Sequence, residues 1–141
     1  MDALHALLSE NGVPFELPEM AVVPDAMQIF MFSAVTWNRH HVHYNKDAAV
    51  SEGLPDVVVQ RALIGNFLAR ALTNWLAERG EIRELAWKVV SSATPGRRLR
   101  CQGRALSLEL QDGRQRVGCE LRIVNDDDQL VASGTACVEL F

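Results

Sequence analysis

Apolar positions recur along the chain with two periods, and each period predicts a different element. Between residues 61 and 79, Ile64, Phe67, Leu68, Ala71, Leu72, Trp75 and Leu76 follow the spacing of one helix face. Ala62, Leu63 and Ala69 widen that face, and after Arg61 the charges are Arg70, Glu78 and Arg79, two of them in the last turn before Gly80. A helix this apolar must be covered on most sides. After it the period drops to two. Leu85, Trp87 and Val89 alternate within residues 82–93, and Pro95-Gly96 turns the chain. Cys101, Gly103 and Ala105 alternate until Leu106, Leu108 and Leu110 take over, a face switch that predicts a bulge. Asp112-Gly113 is a hairpin signal. Val117, Cys119, Leu121 and Ile123 then alternate with Arg116, Glu120 and Arg122. Asn125-Asp126-Asp127-Asp128 turns again, and Ala132, Gly134, Ala136, Val138 and Leu140 form a last strand.

The first third is less regular. Leu4, Leu7 and Leu8 share a face of a short helix over residues 2–11, stopped by Asn11-Gly12. Residues 13–24 carry Pro14, Pro18 and Pro24 and read as a linker or an edge extension. Residues 27–35 read as a strand covered on both faces, with Met27, Ile29, Met31 and Ser33 alternating with Gln28, Phe30 and Phe32. Residues 36–45 fit neither period. Asn45-Lys46-Asp47 opens a helical turn over Ala48, Ala49 and Val50, closed by Gly53, and Leu54-Pro55-Asp56 is a turn. The order is thus strand, long buried helix, then four strands joined by tight turns. An α+β fold satisfies it: a single hot-dog domain, a curved antiparallel sheet wrapped around one long central helix. Residues 27–141 read as that domain, and residues 1–26 as an N-terminal helix and extended segment.

Composition narrows the function classes. The 141 residues are 48% hydrophobic and 23% charged, which excludes a disordered chain. A net charge of −4 argues against nucleic acid as a partner. No run approaches the ~20 apolar residues that span a bilayer, so no membrane partner is expected. The first twelve residues hold Asp2 and Glu10 and no basic segment, unlike a signal peptide. Cys101, Cys119 and Cys137 lie inside strand-like runs and form no CxxC motif. They read as reduced thiols acting as small core hydrophobes in a cytoplasmic protein.

Chemistry concentrates in Thr36-Trp37-Asn38-Arg39-His40-His41-Val42-His43-Tyr44-Asn45, which holds three of the four histidines. Three readings compete. Close imidazoles can bind zinc, although no nearby carboxylate or cysteine completes a known spacing. The segment can also be a polar loop whose histidines satisfy its own backbone. Or one histidine serves as an acid–base group near neutral pH. Arg97, Arg98, Arg100 and Arg104 form the only dense basic run, read either as a solvated hairpin or as a phosphate contact, for which Arg is well shaped. Trp37, Trp75 and Trp87 read as core or interface residues, and Asp126, Asp127 and Asp128 as a solvated turn.

Three short motifs carry a resemblance. Asn38 is followed five residues on by His43, then by Tyr44-Asn45-Lys46-Asp47-Ala48-Ala49 and Gly53. Val57-Val58-Val59-Gln60-Arg61-Ala62-Leu63 leads into the long helix, and Ala93-Thr94-Pro95-Gly96-Arg97-Arg98-Leu99 reads as a hairpin. On these motifs, residues 27–141 resemble the MaoC-like (R)-specific enoyl-CoA hydratases and their dehydratase relatives. Three positions depart from that family: Asn38 stands where Asp is usual, Arg61 where Gly is usual, and Arg97 where Asp is usual. The pattern of Asn38, His40, His43 and Tyr44 is similar to a branch with mesaconyl-CoA hydratase and mitochondrial 3-hydroxyacyl-thioester dehydratase. Residues 57–75, ending Leu72-Thr73-Asn74-Trp75, resemble the small subunit of two-chain steroid side-chain enoyl-CoA hydratases, which pairs with a second MaoC-like chain.

The resemblance implies hydration of a trans-2-enoyl-CoA to the (R)-3-hydroxyacyl-CoA, or the reverse, with no cofactor and no metal. His43 then lies nearest the water, Asn38 holds that water, and His40 is a further member of the site. Backbone N–H groups of Arg61 and Ala62 are the expected oxyanion donors, since a helix N-terminus offers unpaired N–H groups and a positive dipole end. Arg97, Arg98 and Arg100 are the expected CoA contacts. Asn38 removes the charge that would orient a histidine and accept a proton, and an amide is no base near pH 7. Two other functions stay open. One is a non-catalytic hot-dog subunit that stabilises a catalytic partner. The other is an acyl-CoA thioesterase, against which stands a central helix offering only Glu78, at its far end. An open-edged sheet predicts a homodimer or a heteromer with a second hot-dog chain.

Overall fold

A computed structural model describes residues 12–141. The helix expected over residues 2–11 lies outside the described residues. The long apolar run folds as expected into a helix, α3 (Arg61–Leu76). Two helices precede it, α1 (Ala26–Thr36) and α2 (Lys46–Ser51), with a single 3-10 turn between them over His41–His43. The strands are β1 (Phe15–Glu16), β2 (Met20–Val22), β3 (Gly80–Val89), β4 (Leu99–Gln111), β5 (Arg114–Asn125) and β6 (Leu130–Leu140).

One antiparallel sheet runs in the order β1-β4-β5-β6-β3, with β2 also paired to β4. It wraps around α3, as the hot-dog reading expects. Ile64, Leu68 and Leu72 of the helix are at most 1% exposed, as are Leu99, Val117, Ile123, Ala132 and Val138 of the sheet. Alternation fails in β4 where expected: the register shifts between Ala105 and Ser107, and Leu106 turns outward, half exposed. The Asp112-Gly113 turn joins β4 to β5 with positive φ at both residues, 52° and 76°, the geometry its sequence signals. The proline-punctuated segment is an edge extension: β1 and β2 pair with β4, and Phe15 packs against Trp75 of α3 with ring centroids 6.1 Å apart.

The strand expected over residues 27–35 is a helix. Asp25 caps it, its Oδ1 accepting the Gln28 N–H at 2.7 Å. Ile29 and Ser33, four residues apart, face the core, while Met27, Phe30, Met31 and Val35 are more than half exposed. With apolar residues on both sides, so short a run satisfies a period of two and a period of 3.6 equally well, and the cap decides. No described helix is long and apolar enough to cross a membrane.

Candidate active site

The C-terminus of α1 fixes Asn38. The Asn38 N–H donates to the Ser33 carbonyl at 2.9 Å and the Trp37 N–H to the Ala34 carbonyl at 3.4 Å, a Schellman pair. Trp37 occupies the left-handed position of that cap, at φ 57°, where glycine is usual. A bulky residue there is strained, and such strain gathers at functional sites. The Arg39 guanidinium lies 5.3 Å from the Trp37 ring centroid and covers it. Asn38 thus leaves the helix at a set angle, and its Oδ1 accepts the His40 N–H at 3.3 Å.

Val58 holds the next stretch. Its N–H donates to the Val42 carbonyl at 3.0 Å, and its carbonyl lies 2.7 Å from His43 Nδ1. Val42 is buried, which explains one aliphatic residue among polar ones. A carbonyl can only accept, so His43 Nδ1 carries the proton, and Nε2 of the neutral ring is the basic nitrogen. His43 is 9% exposed. His40 stands edge-on to it, ring centroids 5.8 Å apart, but is itself exposed, with Nε2 3.5 Å from Glu52 Oε1. His41 turns to Tyr44, whose hydroxyl donates to the Arg39 carbonyl at 2.8 Å. Among the described residues, no group of three or more His, Cys, Asp or Glu converges as a metal site would need.

Two residues beyond Val58, Gln60 occupies the N-cap position of α3, yet its side chain caps nothing there. The first helical bond is from the Ile64 N–H to the Gln60 carbonyl at 3.0 Å, so the N–H groups of Arg61, Ala62 and Leu63 precede the ladder. Arg61 and Ala62 are exposed. The Arg61 carbonyl accepts the Trp87 indole N–H at 3.0 Å, which ties β3 to the start of the helix. The structure therefore links His43, Asn38 and His40, and Val58, which holds His43, lies three residues before the start of α3.

The arginine run is a different matter. Arg100 pairs with Asp128 and also donates to the Asn125 carbonyl at 3.3 Å. Arg97 lies 4.0 Å from Asp127, and Arg104 pairs with Glu16 at 2.8 Å. The acidic turn is thus a partner of the arginine run as well as a solvated loop. Arg98 is exposed beside it. The hairpin expected over residues 93–99 is instead a crossover, since β3 pairs with β6 and β4 with β5, and it is held by its backbone: Val59 N–H donates to the Ala93 carbonyl at 2.9 Å, and Gly96 N–H to the Pro24 carbonyl at 2.8 Å. Glu78, the one carboxylate offered to a thioesterase, lies past the end of α3. Sequence reasoning missed Gln60, Ser33 and Val58 as supports of the site. Gln60 carried a signal, a lone amide closing an apolar run just before a helix.

Several solved structures share this fold. A search of solved structures finds the ChsH1-ChsH2 complex from Mycobacterium tuberculosis, with TM-score 0.80 and 19% identity over 92% of this chain and 98% of that one. It also finds the R-hydratase PhaJ1 from Pseudomonas aeruginosa, with TM-score 0.83 and 17% identity over 94% of this chain and 83% of that one. The (R)-hydratase from A. caviae matches with TM-score 0.82 and 15% identity over 92% and 96% of the two chains. These likenesses establish the hot-dog fold. Among curated proteins, mesaconyl-C(4)-CoA hydratase from Chloroflexus aurantiacus is 40% identical over 62 residues, 39% of this chain and 22% of that protein. The match therefore spans under a quarter of the relative's length. The profile of the hydroxyacyl-thioester dehydratase type 2 family matches residues 13–95, more than half of the chain, and takes in Asn38, His40, His43 and the start of α3. By that match, and in agreement with the resemblance carried by its motifs, this chain belongs to the hydroxyacyl-thioester dehydratase type 2 family.

Proposed function

We propose that this chain catalyses reversible hydration of a trans-2-enoyl-CoA to the (R)-3-hydroxyacyl-CoA, with His43 as its acid–base group. The observation that carries this reading is the His43–Val58 hydrogen bond of 2.7 Å, which leaves Nε2 as the free ring nitrogen of a side chain held by the segment that leads into α3. In the hydration direction, Nε2 takes a proton from water as the oxygen bonds to C3. The C2–C3 π electrons move onto the thioester, and the enolate oxygen is held by N–H groups of Arg61 and Ala62. The proton then returns to C2. Asn38 Oδ1 is engaged by the His40 N–H, so its amide N–H groups are the ones that hold the water oxygen. Since an amide accepts no proton near pH 7, His43 carries both transfers. His40, exposed beside His43, lines the approach. Arg98 is the arginine of this run most open to a CoA phosphate, while Arg97 and Arg100 contact CoA at the expense of Asp127 and Asp128.

Residues 27–141, with the two edge strands before them, form the unit that carries the site. The working form has a second hot-dog subunit, a copy of this chain or a different one. β3 is an end strand of the sheet, and among the described residues only β6 pairs with it. The likeness to mesaconyl-C(4)-CoA hydratase supports a CoA thioester as substrate.

One observation favours a second reading, a non-catalytic subunit: Asn38 stands where the resembling hydratases carry Asp. Loss of enoyl-thioester absorbance over short, long and steroid-sized 2-enoyl-CoAs separates the two. Activity that falls by about 10²-fold or more in His43→Ala is the expected result for a proton-transfer group. A wild-type chain inactive on every substrate, or an undiminished His43→Ala, refutes the hydratase reading, and activity only with a second hot-dog chain that survives His43→Ala establishes the subunit reading.

A further inference from the structure

Gln60 reacts with nothing in the chemistry above, yet it is 1% exposed, among the most buried polar residues described. It sits at the N-cap of α3 and makes no cap there. Its Nε2 instead crosses to α1, donating to the Ile29 carbonyl at 2.7 Å and to the Ser33 hydroxyl at 2.8 Å. Its Oε1 is buried without a hydrogen-bond partner. A buried amide with an orphaned oxygen costs free energy relative to an apolar residue of the same shape. Stability alone therefore gives no reason for an amide at this position.

Its connections do give one. Ser33, which accepts from Gln60, also accepts the Asn38 N–H at its carbonyl, 2.9 Å. Asn38 Oδ1 accepts the His40 N–H at 3.3 Å, and the His40 carbonyl accepts the His43 N–H at 3.2 Å. The His43 ring meets the Val58 carbonyl at 2.7 Å, and Val58 leads along the chain back to Gln60. The path is a closed ring through both candidate residues and the start of α3. Within it the bond from Gln60 to Ser33 joins α1 to the start of α3, and the bond from the same amide to the Ile29 carbonyl runs beside it.

We infer that Gln60 is a positioning residue. By tying α1 to the start of α3, it sets where Asn38 stands relative to His43 and to the unpaired N–H groups of Arg61 and Ala62. The kinetic consequence rests on the hydratase reading; the structural consequence does not. A residue that merely stabilised the fold would, when replaced, loosen the sheet and helices together. A positioning residue loosens the ring alone, and it lowers kcat more than it raises KM, because the misplaced groups act on the reacting atoms.

The test uses Gln60→Met, which keeps length and removes the amide, and Ser33→Ala, which removes only the hydroxyl. Amide hydrogen exchange and steady-state kinetics are measured on both in the full chain, with its partner present if one is required. Exchange at Asn38 and His43 is expected to quicken by about tenfold, the loss of one hydrogen bond's worth of protection, with amides of β5 and the interior of α3 changed less than about twofold. In an active enzyme kcat falls by about tenfold, KM stays within about threefold, and Ser33→Ala follows in the same direction. Uniform exchange across all elements, unchanged exchange at Asn38 and His43, or faster exchange with an unaltered kcat each overturns the inference. Should Gln60→Met fail to fold, Ser33→Ala decides by the same criteria. An inactive wild type refutes the hydratase reading, while the exchange data still decide the role of Gln60.

Discussion

Adding one methyl group at Gly65 sets two effects of opposite sign against each other. Gly65 lies in the middle of α3, where glycine is the poorest residue after proline, and alanine would gain about 1 kcal/mol of helix propensity. A Cβ built at Gly65, however, stands 2.6 Å from Trp87 Cη2 and closer still to Cε2 and Cζ2. Three ring atoms are involved, so the whole indole must move, not a flexible end. The indole is also the donor to the Arg61 carbonyl at 3.0 Å, and displacing it breaks that bond. Overpacking costs about 1–3 kcal/mol and the lost hydrogen bond about 0.5–1.5 kcal/mol. The overlap wins, and Gly65→Ala is expected to destabilise by about 1–3 kcal/mol. For a domain of this size that lowers Tm by about 3–10 °C. Urea and thermal melts would show it, and a double-mutant cycle isolates the cause. In a Trp87→Ala background the overlap is gone, so Gly65→Ala should become neutral or stabilising by up to about 1 kcal/mol. A stabilised Gly65→Ala in the native background, or the same penalty with and without Trp87, would refute the reasoning.

Other consequences follow from buried groups. Glu139 is fully buried beneath Arg114, Arg116 and Arg83, with Arg114 Nη1 2.6 Å from its Oε1. The hydrogen bond from Arg114 is the largest influence holding its carboxyl below the ordinary range; those from Arg116 and the charge of Arg83 add to it, and burial opposes it. A carboxyl whose folded value is depressed contributes stability above its unfolded value and loses it as pH falls toward the folded one. The urea midpoint should therefore hold steady down to about pH 5 and drop below about pH 4, where unfolded Glu binds its proton. Glu139→Gln should flatten that acid limb, and an unchanged acid slope in the variant would count against the assignment. Burial pushes the Cys101 and Cys119 thiols up to about 12. Since the thiolate is the nucleophile, iodoacetamide at pH 8 should leave both unlabelled in the folded chain and reach them in urea, as read by peptide mass spectrometry. Labelling of either in the folded state would show that β4 or β5 opens.

Much of the fold was legible because burial is periodic. α3 needs cover on most of its circumference, and Ile64, Leu68 and Leu72 announce it at helical spacing. β4, β5 and β6 each keep one face inward, so alternation, the Asp112-Gly113 turn and even the bulge after Ala105 were readable from residue order alone. α1 was not, because Ile29 faces the core while Phe30 and Met31 face outward, and nine mostly apolar residues carry no decisive period.

The candidate site divides along the same line. Residue order put Asn38, His40 and His43 in one polar segment ahead of a long helix, and the family resemblance made them the expected site. Local order could not say which histidine is held or by what. The Val58 carbonyl that fixes the His43 tautomer lies 15 residues away, and the carbonyl and hydroxyl that take the Gln60 amide lie 31 and 27 residues away. Nor could it show that the arginine run meets an acidic turn of its own chain, since Arg100 and Asp128 are brought together by the pairing of β4 with β5. Periodicity reports which side of an element faces the core, because burial acts on each residue singly. Hydrogen bonds between distant segments depend on where whole elements pack, and only the tertiary structure decided those.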